Sequence, residues 1–148
     1  MIKGMHHVGI SVTKLESALA FYTELLGMEV AAAPFPINGE VLEQVMALPD
    51  LQGRMAVVGK GTLLIELFEF AHPSPVVQDA NYPVSNHGIT HFGIEVADVE
   101  AAYQRLSAAG VRFHSPVMSF QRGVKATYGR DPDGNVFELL EMPKNAAD

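Results

Sequence analysis

The amino-acid sequence repeats itself once, and that repeat limits the fold more than any other feature. His7-Val8-Gly9-Ile10-Ser11-Val12 recurs as His91-Phe92-Gly93-Ile94-Glu95-Val96, at a constant offset of 84 that also carries Glu16 to Glu100 and Ala18 to Ala102. A later stretch, Ile65-Glu66-Leu67-Phe68-Glu69, recurs as Phe137-Glu138-Leu139-Leu140-Glu141. In each copy one histidine and one glutamate stand where a strand should hold only apolar side chains. Two imidazoles and two carboxylates set by pseudo-symmetry would give a divalent cation a charge-balanced cage.

The local patterns give each copy the order strand, helix, three strands. Val8, Ile10 and Val12 alternate with His7, Gly9 and Ser11. Thr13-Lys14-Leu15-Glu16 fits a capping box. Leu15, Ala18, Leu19, Tyr22 and Leu25 recur at helical spacing up to Gly27. Strands are expected near 28–32, 55–58 and 62–70, with breakers at Pro34, Pro36, Gly39, Pro49 and Gly53 and a helical turn around 41–47. In the second copy Asp98 caps a helix that buries Val99, Ala102, Tyr103 and Leu106 and ends at Gly110. Strands follow near 111–114, 125–128 and 136–141, and Asp131-Pro132-Asp133-Gly134-Asn135 is a turn. The chain is thus expected to be one domain over 1–148, with modules at about 5–70 and 89–142 joined by an aperiodic linker at 71–88.

Composition narrows the chemistry. With no cysteine, disulfides, thiolate metal sites and thiol nucleophiles are excluded, so any metal must use imidazole and carboxylate. A net charge of −7 and ten scattered Lys and Arg argue against nucleic acid, which needs a basic face. No apolar run reaches the roughly 18 residues that span a bilayer, and the N-terminus runs straight into a strand pattern without a signal-peptide core. A cytoplasmic protein with a small-molecule partner, and no membrane, is expected.

Glu66 and Glu138 carry the most information. Leu64, Phe68 and Phe70 share the face of Glu66, while Leu63, Ile65 and Leu67 form the other. An unpaired carboxylate on a strand covered on both sides would cost several kcal/mol. Glu138 stands likewise between Val136 and Leu140. Each needs a partner: a Lys or Arg at matching places twice over, or one ion shared with His7 and His91. His6 is expected on the face opposite His7, and His72, His87 and His114 at the surface. Glu69 and Glu141 are expected to be solvated near strand ends.

The chain resembles the vicinal oxygen chelate superfamily, which includes glyoxalase I, methylmalonyl-CoA epimerase, extradiol dioxygenases and the bleomycin and fosfomycin resistance proteins. The resemblance rests on His7-Val8-Gly9-Ile10, Phe21-Tyr22-Thr23-Glu24-Leu25-Leu26-Gly27-Met28, Ile65-Glu66-Leu67, His91-Phe92-Gly93-Ile94 and Asp131-Pro132-Asp133-Gly134-Asn135 leading into Phe137-Glu138-Leu139. It covers about residues 5 to 142. It implies an α+β fold of two tandem βαβββ modules forming an eight-stranded, U-shaped mixed sheet backed by helices. It also implies four metal ligands, His7, Glu66, His91 and Glu138, around one divalent ion: Ni, Zn, Co or Mn, or Fe(II) in a dioxygenase. A homodimer is the implied assembly.

The activity expected from this set is a metal-dependent lyase or isomerase that removes a proton next to a carbonyl through an enolate or enediolate. Glu138 is the first choice of general base and Glu66 the second. Arg122, Lys125, Tyr128 and Arg130 are the polar candidates for anchoring a carboxylate, phosphate or CoA group. The alternatives are an Fe(II) extradiol-type dioxygenase and a metal-free binding or resistance protein.

Overall fold

The first module begins with β1, Val8–Ser11, whose Ile10 is buried together with the following Val12. In this computed structural model, which describes residues 1–143, the chain divides into two units, Met1–Val77 and Gln78–Asp148. In the first, β1 leads into α1, Leu15–Ala20, which continues as one wide π-type turn over Phe21–Leu25. Leu15, Ala18, Phe21 and Tyr22 are buried, and Gly27 ends the helix at φ +71, a left-handed backbone that a side chain would resist. Then come β2 (Glu29–Asn38), α2 (Glu40–Met46), β3 (Gln52–Lys60) and β4 (Leu63–His72). The sheet order is β1-β4-β3-β2, with β1 parallel to β4 and the other pairs antiparallel.

β2 is twice as long as the pattern predicts and runs through Pro34 and Pro36. Its position explains this. As the edge strand it leaves one row of its backbone groups unpaired, where a missing N–H costs little, and its register with β3 shifts between Val30 and Ala32 and again before Phe35.

The second unit repeats the plan with β5 (Phe92–Glu95), α3 (Val99–Ala108), β6 (Arg112–Phe113), β7 (Met118–Ser119), β8 (Lys125–Arg130) and β9 (Val136–Glu141). Its order, β5-β9-β8-β6, matches the first sheet strand for strand, and β7 adds a short fifth strand paired to β8. Each module is therefore α+β on a βαβββ plan, as the resemblance implies, with α2 added to the first module and β7 to the second. Val99, Leu106, Phe137 and Leu139 fill the space between α3 and its sheet.

The 71–88 segment is not a free linker throughout. Its second half is fastened to the second unit: Arg112 Nη1 donates to Asn81 Oδ1 at 2.7 Å, and Arg130 Nη2 donates to the Tyr82 carbonyl at 2.7 Å. Among the described residues no helix is long and apolar enough to cross a membrane.

Candidate functional site

Each unit brings its histidine and glutamate together by the same route. Glu66 lies on β4 with Gly9 of the parallel strand β1 as its register partner, and Glu138 lies on β9 beside Gly93 of β5. Gly93 keeps the space beside its carboxylate open, whereas a methyl group on Gly9 would meet Phe68 Cε2 at 3.4 Å. A methyl group on Gly93 would meet Leu140 Cδ2 at 3.3 Å and Glu138 Oε2 at 3.6 Å. Just before each first strand the histidine turns back over this space. His7 Nε2 stands 3.4 Å from Glu66 Oε2, and His91 Nε2 stands 3.4 Å from Glu138 Oε2.

The partner of each glutamate is thus an imidazole, and among the described residues no Lys or Arg takes that place. The glutamate faces are also less covered than expected. Glu66 and Glu138 keep 26% and 22% of their side-chain surface, because Leu64, Phe68, Phe70 and Leu140 on the same faces are only half-buried. Ile65, Leu67, Phe137 and Leu139 on the opposite faces are fully buried. The strands have one packed face and one open face, which is what a binding surface needs.

The other imidazole nitrogens are held as well. His91 Nδ1 lies 2.9 Å from Thr90 Oγ1, and His7 Nδ1 lies 2.9 Å from His6 Nδ1. An Nδ1–H given to Thr90 leaves the Nε2 lone pair of His91 facing the carboxylate, the tautomer a metal ligand uses. His6 is therefore not on the far side of the sheet. Both residues precede β1, so strand alternation does not govern them. The donor set suits a hard or borderline divalent ion. Two ligands of one tetrahedral ion with bonds of about 2.1 Å stand roughly 3.4 Å apart, the spacing each pair already has. Among the described residues no third His, Asp or Glu joins either pair closely enough to make a group of three.

The modules differ in the cross-strand row that contains the glutamate. In the first, the row runs Gly9, Glu66, Val57, Ala32. In the second it runs Gly93, Glu138, Tyr128, His114, the last step being the 2.8 Å bond from His114 N to the Tyr128 carbonyl. Tyr128 Oη lies 3.3 Å from His91 Nε2, with ring centroids 4.5 Å apart. Burial, and then the nearby Glu138 charge, push the Tyr128 phenol above its ordinary range, so it is a proton donor at neutral pH. His114 is exposed, as expected, but is not idle: it accepts a 3.0 Å hydrogen bond from Arg130 Nε, and its ring stands 6.0 Å from the Tyr128 ring. Partial burial, followed by the Arg130 charge, holds its pKa below the usual value.

The other predicted anchors fall elsewhere. Arg130 is buried and spends Nε on His114, Nη1 on the Gly134 carbonyl and Nη2 on the Tyr82 carbonyl, with its charge 4.9 Å from the centre of the Tyr82 ring. It ties the turn at 131–135 to the 78–88 segment. Arg122 is exposed in a short 3-10 turn at φ +65, and Lys125 opens β8 as the backbone register partner of Glu141 on β9. Asp131 serves the turn, accepting from the amides of Asp133 and Asn135.

Glu69 and Glu141 are not solvated strand-end residues. Glu69 Oε2 accepts from the Leu15 amide at 2.6 Å and Glu141 Oε2 from the Val99 amide at 3.0 Å, so each caps the first turn of its module's helix. The repeated Glu-x-x-Glu is one carboxylate for the open face and one for the helix behind it. The expected capping box is correspondingly altered: Lys14 occupies the N-cap position without a side-chain cap, and Glu16 pairs with Arg54 at 2.8 Å.

The sequence pattern of the Glyoxalase/Bleomycin resistance protein/Dioxygenase superfamily matches residues 4–139. A 2-epi-5-epi-valiolone epimerase of Actinomyces sp is 32% identical over 96% of this chain and 81% of its own length. An ethylmalonyl-CoA/methylmalonyl-CoA epimerase of Cereibacter sphaeroides is 33% identical over 76% of this chain and 75% of its own. The crystal structure of a glyoxalase family protein from Bacillus cereus superposes with a TM-score of 0.85 at 24% identity, covering 95% of each chain. The duplicated βαβββ plan and this match over nearly the whole chain make the protein a member of the Glyoxalase/Bleomycin resistance protein/Dioxygenase superfamily.

Proposed function

We propose that the chain is a divalent-metal-dependent lyase or isomerase that moves a proton on the carbon next to a carbonyl. The observation that carries this reading is the duplicated pair, an imidazole Nε2 and a glutamate oxygen 3.4 Å apart on the open face of each module. The epimerase names of two relatives support the same class of chemistry. His7, Glu66, His91 and Glu138 are the proposed ligands of Ni, Zn, Co or Mn. When bound, such an ion supplies Lewis-acid stabilisation of the negative charge that develops on the substrate oxygen.

The side chains then have separate tasks. Glu138 takes the proton from the carbon, the C–H electron pair moves into the carbonyl to give an enolate or enediolate, and the carboxyl returns the proton to the same or the neighbouring carbon. Glu66 is the second candidate, and two carboxylates serve a transfer that ends on the opposite face. Half-burial suits this work: each carboxylate stays reachable by substrate, while the fully buried strand face behind it fixes its position. The partner is a small molecule, and a homodimer is the proposed assembly.

Elemental analysis after dialysis against Ni, Co, Zn, Mn and anaerobic Fe(II) tests the reading, with about one ion per chain expected. Turnover is then screened with hemithioacetals and acyl-CoA thioesters. Glu138→Gln should lower the rate by about 10²–10⁴ with unchanged circular dichroism. Near-normal turnover in that variant would refute the assignment of the base. Selective retention of Fe(II) would favour an extradiol dioxygenase, and no retained metal a binding protein.

A further inference from the structure

Tyr128 has two neighbourhoods. Its hydroxyl reaches the nitrogen of His91 that faces Glu138, and the residue also lines a cavity of about 190 Å³. His114, Met118, Phe120 and Ala126 form much of the remaining wall. For scale, an apolar cavity of about 150 Å³ holds benzene. The Thr127 and Ser115 hydroxyls of the lining are occupied: Thr127 Oγ1 donates to the Ser115 carbonyl and Ser115 Oγ to the Pro116 carbonyl, both at 2.8 Å. Among the described residues no Lys, Arg, Asp or Glu lines it. Arg130, two positions from Tyr128, has its donors committed to His114, Gly134 and Tyr82. Met118 and Phe120 leave 54% and 58% of their surfaces in water, so an apolar group seated here covers exposed hydrocarbon.

We infer that this cavity receives a compact, uncharged apolar substituent, about the size of an aromatic ring, carried next to the carbonyl whose oxygen accepts the Tyr128 hydrogen bond. The carbonyl part of this inference rests on the proton-transfer reading above; the cavity stands on its own lining. The difference between the modules gives it direction. At the points that correspond to Tyr128 and His114 the first module has Val57 and Ala32, which offer no donor. The glutamate and histidine are duplicated, but the hydroxyl and the apolar recess belong to the second module. The Arg130 bond keeps His114 Nε2 an acceptor and fixes its ring against Tyr128, so the wall is set before a ligand arrives. A carboxylate or phosphate placed in the recess would be desolvated without a countercharge.

The test uses the full chain labelled with ¹³C at the methionine methyls, the Met118 signal being assigned from Met118→Leu. The probes are acetophenone, acetone and benzoate. Acetophenone should shift the Met118 methyl and bind about tenfold or more tightly than acetone, as expected for burial of a ring. Phe120→Ala, at an exposed position, should weaken acetophenone about fivefold and leave acetone unchanged. Tyr128→Phe should weaken both ketones by the same factor, about fivefold. An unmoved Met118 signal, equal binding of the two ketones, or benzoate binding as tightly as acetophenone would overturn the inference. Metal content separates the two ideas. A chain that retains its ion and ignores acetophenone refutes only the cavity. A chain that binds acetophenone at Met118 without retaining any ion keeps the cavity and loses the proton-transfer reading.

Discussion

Removing the Glu69 carboxylate should cost more stability than its distance from the open face suggests. Glu69 Oε2 accepts from the amide of Leu15 at 2.6 Å, and Leu15 is fully buried at the head of α1. Lys14 at the N-cap makes no side-chain capping bond. In Glu69→Ala that amide loses a charged acceptor in a place where water reaches it poorly, and a hydrogen bond to a charged group is worth about 1.5–3 kcal/mol. Arg54 also loses two contacts with Glu69, at 3.0 and 2.9 Å, but keeps Glu16, so nothing is added for it. The expected loss is about 2 kcal/mol, close to 1 M in the urea midpoint for a slope of about 2 kcal/mol/M. Glu141→Ala is the internal control. It removes the 3.0 Å bond to the Val99 amide, yet Asp98 still accepts from Ala101 at 2.9 Å, so the expected loss is about 1 kcal/mol. Equilibrium urea unfolding followed at 222 nm reads both. Glu69→Ala within 0.5 kcal/mol of the parent, or less costly than Glu141→Ala, would refute the capping role.

Gly129→Ala should destabilise the second module by about 2–3 kcal/mol, since the new methyl would stand 2.5 Å from Phe137 Cζ and 3.0 Å from Phe113 Cε1 inside a filled aromatic cluster. Thermal unfolding measures it, and an unchanged midpoint would contradict the packing described. His114 should titrate below the usual histidine value in an NMR pH series. Because its folded value is depressed, its contribution is complete above the unfolded value and is lost as pH falls through the folded one. A His114 value above that of a free histidine would count against the Arg130 bond. The hydrogen bond from Arg54 holds the Glu16 carboxyl below the usual carboxylate range, so its contribution is present above the unfolded value and lost as pH falls through the folded one. In Arg54→Gln the Glu16 carboxyl signal should titrate higher; no change would show the pair to be absent in solution.

The parts of the fold that were legible in the sequence are those fixed by neighbours along the chain. Alternation places Ile10 and Val12 inward, helical spacing buries Leu15, Ala18 and Tyr22, and Gly27 and Gly110 end helices at positive φ. Other features depend on distant partners and leave no local trace. Glu69 meets its amide 54 residues away and Glu141 meets its own 42 away. Pro34 and Pro36 read as breakers until β2 is known to be an edge. Glu66 and Glu138 stand out locally because a carboxylate interrupts an apolar strand. Tyr128 is legible only as one polar anchor candidate among four, because nothing local places its hydroxyl 3.3 Å from a histidine 37 positions earlier.

The same contrast bears on how a duplicated chain acquires selectivity. The groups proposed for proton transfer are those the modules share. A substrate with two unlike ends calls for unlike surroundings, which duplication alone cannot supply. In this chain the rows beside the glutamates have diverged, from Val57 and Ala32 in one module to Tyr128 and His114 in the other. The Arg130 clamp explains how that divergence holds its shape: three bonds from one buried guanidinium fix His114, the turn at Gly134 and the segment at Tyr82 together. Substrate choice should therefore follow substitutions in the Tyr128 row and its recess, while substitutions at the shared glutamates should remove the chemistry for every substrate alike.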